Sequence, residues 1–215
     1  MPAPVKIYFA SSNPGKLAEF RVLAESNSTS AAAGISSSTT FRVEMLPGFE
    51  SLAPFEENAP TFGENALGKA LYYSELSDQI VFADDSGLVV PALGGAPGVH
   101  SARYAGPSAT SAARIIKLLQ ELANKPREER AAYFCCVIAV IRQGLPIAVI
   151  SNRADGEILE APRGSGGFGY DPIFYLPALD KTFAELTPQE KNLHSHRGKA
   201  FRRVLSFLNT PLLKN

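Results

Sequence analysis

The chain has 215 residues, 45% of them hydrophobic and 20% charged, the balance of a globular protein with one sizeable domain or two small lobes sharing a core. Lysine plus arginine equals aspartate plus glutamate at 21 each, so no global field recruits nucleic acid or anionic lipid, and an anion site must come from local clustering. The opening MPAPVKIYFASSN is too short an apolar run for a signal peptide and no stretch is long enough to span a bilayer, so a cytoplasmic protein with no membrane partner is expected.

Along the chain, VKIYFA (5–10) reads as a strand and Lys16–Leu23 as the first helix. The Ser/Ala-rich segment 26–39 reads as a low-complexity surface insertion within a single domain spanning 1–215. Its partial removal, Ser28 to Ser37, is expected to leave activity intact, because surface loops tolerate changes of length. Strand-like runs follow at 40–46, 79–83 and 87–93, with a helix from Thr61 to about Leu76. The run TSAARIIKLLQELANK is a helix with Ile115, Leu118, Leu119 and Leu122 on one face. Runs 130–142 and 145–152 flank Gln143-Gly144 and predict a hairpin. Adjacent Cys135 and Cys136 in YFCCVIAVI read as buried thiols, since no partner stands at a metal or redox spacing. A last helix runs from about His196 to Leu208, with Phe201, Val204, Leu205 and Leu208 inward. Strands interleaved with helices, plus a long hairpin, argue for an α/β domain with a mixed sheet.

Five stretches carry candidate chemistry. In SSNPGKLAEF a strand runs into a turn and then a helix. Gly15-Lys16 suggests a phosphate-binding P-loop, but the first glycine position is Ala10 and the metal-binding hydroxyl position is Leu17, so that motif fails. What remains is a helix N-terminus with Pro14 at its start and Lys16 beside it, able to face an anion, or simply an Asn-capped helix with a solvated lysine. FGENA offers Glu64 and Asn65, although Thr61-x-x-Glu64 is also a capping box. ADDSGL sets Asp84, Asp85 and Ser86 at the end of an apolar strand, a common place for ligands; the alternative is an Asp-Ser-Gly turn. GSGGFGYDPIF brings glycines, for close backbone approach, next to aromatics that could stack on a base; a glycine-rich hairpin with core aromatics is the other reading. EKNLHSHRGKA supplies Lys191, His194, His196, Arg197 and Lys199, either an anion site or a solvated basic face.

Taken in this order, SSNPGKLAEF, FGENALGKA, ADDSGLVVPALGGAPGVHSARYAG, GSGGFGYDPIF, TFAEL and EKNLHSHRGKA resemble the inosine triphosphatase family, the pyrophosphatases of non-standard purine nucleoside triphosphates. The resemblance runs from about Val5 to Leu208. It implies an elongated mixed-sheet α/β fold of two lobes around a central active-site cleft, a homodimer, and magnesium-dependent hydrolysis of inosine, deoxyinosine or xanthosine triphosphate to the monophosphate and pyrophosphate. By motif position, Ser11, Ser12, Asn13, Pro14, Gly15 and Lys16 would hold the triphosphate. Glu64 and Asp85 would bind Mg2+, with Asp85 accepting a proton from water, and Ser86 would touch substrate. Phe168, Gly169, Tyr170 and Asp171 would line the base pocket, and Lys191, His196 and Arg197 would reach the base or its phosphates.

The implied chemistry suits these residue types. Attack at the α-phosphorus needs positioning and cations more than covalent help, and Mg2+ takes oxygen ligands while keeping several waters. A cationic donor at the 6-oxo group of hypoxanthine or xanthine would leave the amino group of adenine unpaired. Ser12 stands where many family members have glycine, so the turn loses some backbone freedom. A pyrophosphatase of broader range, or a nucleotide-binding regulator without catalysis, would share much of this pattern; nucleic acid is not an expected partner.

Overall fold

The computed structural model describes residues 3–30 and 39–210. Its elements are β1 (Val5–Phe9), α1 (Pro14–Ser30), β2 (Phe41–Met45), α2 (Phe62–Ser74), β3 (Ile80–Val89), α3 (Ser111–Glu121), β4 (Ala131–Arg142), β5 (Leu145–Ile158), β6 (Phe174–Leu176), β7 (Lys181–Thr182), α4 (Pro188–His194) and α5 (His196–Leu208), joined by loops and short 3-10 turns. Among the described residues the strands form one seven-stranded sheet ordered β2-β1-β3-β4-β5-β6-β7. β1 pairs in parallel with β2 and β3, while β6 pairs antiparallel with β5 and β7. The sheet is therefore mixed and the fold class is α/β, as the interleaved strands and helices predict.

Several boundaries differ from the sequence reading, among them β5, which runs past residue 152 to Ile158. The apolar run 79–83 and the start of 87–93 join in one strand, β3, which continues unbroken through Asp84, Asp85, Ser86 and Gly87 to Val89, while Pro91–Leu93, expected as strand, forms a 3-10 turn. Both carboxylates find partners from their places on the strand, so the chain has no need to turn there. α1 runs past Leu23 to Ser30, since neither glycine nor proline interrupts 24–30. The backbone of Ser26–Ser30, expected in a surface insertion, is thus helical, and residues 31–38 lie outside the described ones. The Gln143-Gly144 connection has φ of 52° and 73°, the left-handed pair that a two-residue hairpin requires.

The chain divides into two compact units. The first comprises Met1–Asp85, Cys136–Asn152 and Arg197–Asn215, the second Ser86–Cys135 and Arg153–His196. The core of the first gathers Phe9, Phe20, Phe82 and Phe201, with ring centroids 4.7 to 5.4 Å apart. Burying each such ring contributes on the order of 2–3 kcal/mol. This core fixes β1 and β3 against α1 and α5, and so fixes the strand ends and helix starts that carry polar groups. The second unit packs Leu118, Phe134, Ile173, Phe174 and Phe183 about its own core. Cys136 is buried and Cys135 partly buried.

Candidate active site

In the first unit, β1 ends at Phe9 and the chain turns through Ser11, Ser12 and Asn13 into α1, whose first residue is Pro14. The turn is held by its own side chains. Ser11 Oγ accepts from the Asn13 N–H at 3.2 Å, and Asn13 Oδ1 accepts from the Lys16 N–H at 3.1 Å. Asn13 thereby caps α1, and Pro14 has no N–H to leave unsatisfied. Ser11 is buried, Gly15 partly buried, and Ser12 and Pro14 exposed. Lys16 is not a solvated lysine: its Nζ lies 3.0 Å and 2.9 Å from the two carboxylate oxygens of Asp84.

Asp84 and Asp85 are consecutive on β3, so their side chains leave the strand on opposite faces and meet different partners. Asp84 is fully buried between Lys16 and Arg197, whose Nε is 3.8 Å away. The Arg197 guanidinium also forms an ion pair with Glu19 of α1. Burial alone would push Arg197 toward neutrality, but Glu19 and Asp84 hold its pKa above the ordinary value. Arg197 was expected to reach the base or its phosphates; its described contacts are with Glu19 and Asp84.

Asp85 accepts a hydrogen bond from Asn65 Nδ2 at 3.1 Å. Burial first, and then the charge of Glu57, raise its carboxyl to about pKa 6, against the pull of Lys69 and Lys16. Lys69, buried on α2, forms an ion pair with Glu57. Burial disfavours its charge, yet Asp84 and Glu57 outweigh that and hold its pKa up. Glu57 and Lys69 were not singled out from the sequence. Glu57 lies in a stretch without regular structure, and Lys69 looks like any lysine on a helix.

Glu64, expected as a metal ligand, makes its described contacts with Thr61. Its carboxylate accepts from the Thr61 hydroxyl at 2.7 Å, and its N–H donates to Thr61 Oγ at 3.2 Å, at the exposed start of α2. Thr61 thus caps α2, while the Glu64 carboxylate takes the Thr61 hydroxyl and not the Thr61 N–H that a full capping box would use. The carboxylates whose charge raises Asp85 are Glu57 first and then Asp84.

The second unit holds the aromatic and basic residues. Asp171 Oδ2 accepts from the Phe168 N–H at 2.8 Å and from Lys191 Nζ at 2.7 Å, and both charged groups are buried. Lys191 Nζ also stands 4.7 Å from the Phe168 ring centroid, a cation–π contact. Phe168 is half-buried and keeps some of its surface open. Gly167 has φ of +71°, and a Cβ there would overlap the Asp171 carboxylate, so glycine is required for this fold-back. Gly169 has φ of +63°. Tyr170 is buried in the core and its hydroxyl donates to the Ser101 carbonyl at 3.0 Å, which ties this loop to the segment at Ser101. His196 is buried and stacks on Phe134 with centroids 4.7 Å apart. Ser86 is half-buried on β3.

Among the described residues no three His, Cys, Asp or Glu side chains form a ready-made metal cage. Magnesium does not demand one, because one or two carboxylates and several waters complete its shell. The donor chemistry fits: Glu57 and Asp85 would offer carboxylate oxygens, and the mutual repulsion that helps raise Asp85 is what a divalent cation would relieve. No helix among the described residues is long and apolar enough to cross a membrane.

A family model described as the Ham1 family matches residues 7–207. The dITP/XTP pyrophosphatase of Geobacillus kaustophilus is 49% identical over 199 residues, covering 93% of this chain and 92% of the relative. That of Yersinia pseudotuberculosis is 44% identical over 206 residues, covering 94% and 98%. Among solved structures, a HAM1 protein from Coxiella burnetii superposes with a TM-score of 0.79 at 40% identity, over 95% of this chain and 98% of that one.

Proposed function

We infer that this chain, which belongs to the Ham1 family, hydrolyses inosine, deoxyinosine and xanthosine triphosphates to the monophosphate and pyrophosphate, with magnesium as cofactor. Relatives named for dITP and XTP support the substrate class. The observation that carries the reading is the group built around β3: Lys16 paired to Asp84, and Asp85 beside Glu57. It combines a helix-start turn suited to phosphate with two carboxylates whose mutual repulsion a cation would relieve.

Lys16 and the first turn of α1 hold the triphosphate, and Arg197 keeps Asp84 in place to aim Lys16. Glu57 and Asp85 would hold Mg2+, which supplies charge neutralisation on the phosphate oxygens and eases deprotonation of the attacking water. The water oxygen bonds to the α-phosphorus, the bond to the bridging oxygen breaks, and pyrophosphate leaves with that electron pair. Asp85 receives the water's proton. Phe168 stacks on the purine, while Lys191, fixed by Asp171, donates to the 6-oxo oxygen. Adenine presents an amino donor there and leaves the ammonium unmatched. Such an enzyme clears non-standard purines from the nucleotide pool of the cytoplasm, and a homodimer belongs to the same proposal.

Product analysis tests the reaction. Inosine triphosphate with Mg2+ is expected to give monophosphate and pyrophosphate in equal amounts, with release stopped by chelator. Orthophosphate with the diphosphate as first products would contradict attack at the α-phosphorus.

A further inference from the structure

Asn65 is the residue through which Asp85 and the segment carrying Glu57 meet. It is 1% exposed, on the first turns of α2. Its Oδ1 accepts from the Ala59 N–H at 3.0 Å, and its Nδ2 donates to the Ala59 carbonyl at 3.2 Å and to Asp85 Oδ2 at 3.1 Å. One buried amide therefore clamps a backbone unit in both directions and holds a carboxylate as well.

The clamped segment, residues 52–60, has no ladder or helix of its own and must be held by side chains. A second fastening is at Phe55, whose N–H donates to the Tyr73 hydroxyl at 3.1 Å and whose ring lies against Gly68, where a Cβ would overlap it. Glu57 sits between the two fastenings and reaches Lys69. Releasing the Ala59 end frees the chain two residues from Glu57 and leaves Asp85 without its amide donor.

We propose that Asn65 is a positioning residue that fixes Glu57, through Ala59, and Asp85, directly, as one divalent-cation pair. The proposal rests on reading those carboxylates as a cation site. Its role differs from that of a ligand, since an amide Nδ2 donates and cannot coordinate. Outer partners of this kind typically alter cation affinity by about 10–100-fold when removed.

The test uses Mn2+ as probe, binding read by electron paramagnetic resonance without nucleotide, on the full chain and on Asn65→Ala and Asn65→Leu. The leucine variant keeps the side-chain volume and removes all three hydrogen bonds. Both are expected to weaken Mn2+ by about tenfold or more and to raise the Mg2+ needed for half-maximal pyrophosphate release. The KM for inosine triphosphate at saturating Mg2+ should stay within about threefold. Hydrogen exchange gives an arm that needs no variant: in the wild-type chain the Ala59 amide, bonded to Asn65, should exchange more slowly when Mn2+ is added. Unchanged Mn2+ affinity in folded variants, or an Ala59 amide indifferent to Mn2+, would overturn the role. Failure of the wild-type chain to bind Mn2+ would overturn both the role and the cation site. Mn2+ binding weakened as expected, in a chain that hydrolyses no inosine triphosphate, would support Asn65 and sink the proposed reaction instead.

Discussion

At the scale of single residues, the informative pair is Glu57 and Glu64, two carboxylates near the start of α2 with different work. Glu64 is exposed and caps the helix with Thr61; Glu57 acts on Asp85 and pairs with Lys69. Glu64→Gln keeps an acceptor for the Thr61 hydroxyl, so its Mg2+ activation curve is expected to stay within about twofold of the wild type, as for a surface substitution. Glu57→Gln is expected to shift that curve to higher Mg2+ by at least about tenfold, the scale of disturbing a metal's surroundings. The reverse ranking would return the ligand role to Glu64. Asp84 has another part: it is fully buried between two cations. Asp84→Ala leaves Lys16 and Arg197 facing each other and should cost about 3–5 kcal/mol, read by denaturant unfolding. A loss under about 1 kcal/mol would mean that solvent or Glu19 compensates.

At the scale of elements, helix starts and tight loops do the placing. Asn13 caps α1 with its side chain, so Asn13→Ala should cost about 1 kcal/mol and, on the proposal that the same turn meets phosphate, also raise the KM for nucleotide. A stability loss without any change in KM would remove the turn from the binding site. In the second unit, Gly167→Ala forces a left-handed backbone and an overlap with Asp171; a loss of about 1–3 kcal/mol is expected, with weakened nucleotide binding because Phe168 and Lys191 are both tied to that carboxylate. An unaltered thermal midpoint would show that the loop can refold around the added methyl.

Much at this scale was legible in the chain. The periodicity of 111–121, the apolar runs of the long strands, the Gln143-Gly144 turn and the start of α5 follow from local pattern alone. β6 and β7 are too short, at 3 and 2 residues, to leave a pattern. The unbroken course of β3 depends on partners for Asp84 and Asp85 that lie 68 and 20 residues away, which no local window contains. Glu57, Lys69 and Glu19 escaped notice for the same reason: each looks like surface charge until the fold brings its partner.

At the scale of the whole molecule, a chain with zero formal net charge gathers its buried charged groups locally, within each unit. Lys16, Asp84, Asp85 and Glu57 belong to the first, and Phe168, Asp171 and Lys191 to the second. The motif order carried the resemblance, and the family match over 7–207 agrees with it. Base selection is the central claim, and it is tested most directly by kcat/KM for inosine, xanthosine and adenosine triphosphates with Mg2+, in the wild-type chain and in Lys191→Met. The account predicts that the wild type prefers the two 6-oxo substrates by at least about a hundredfold and that the variant loses most of that preference, because a donor matched to the 6-oxo group is gone. Equal rates on all three in the wild type, or an undiminished preference in the variant, would contradict it.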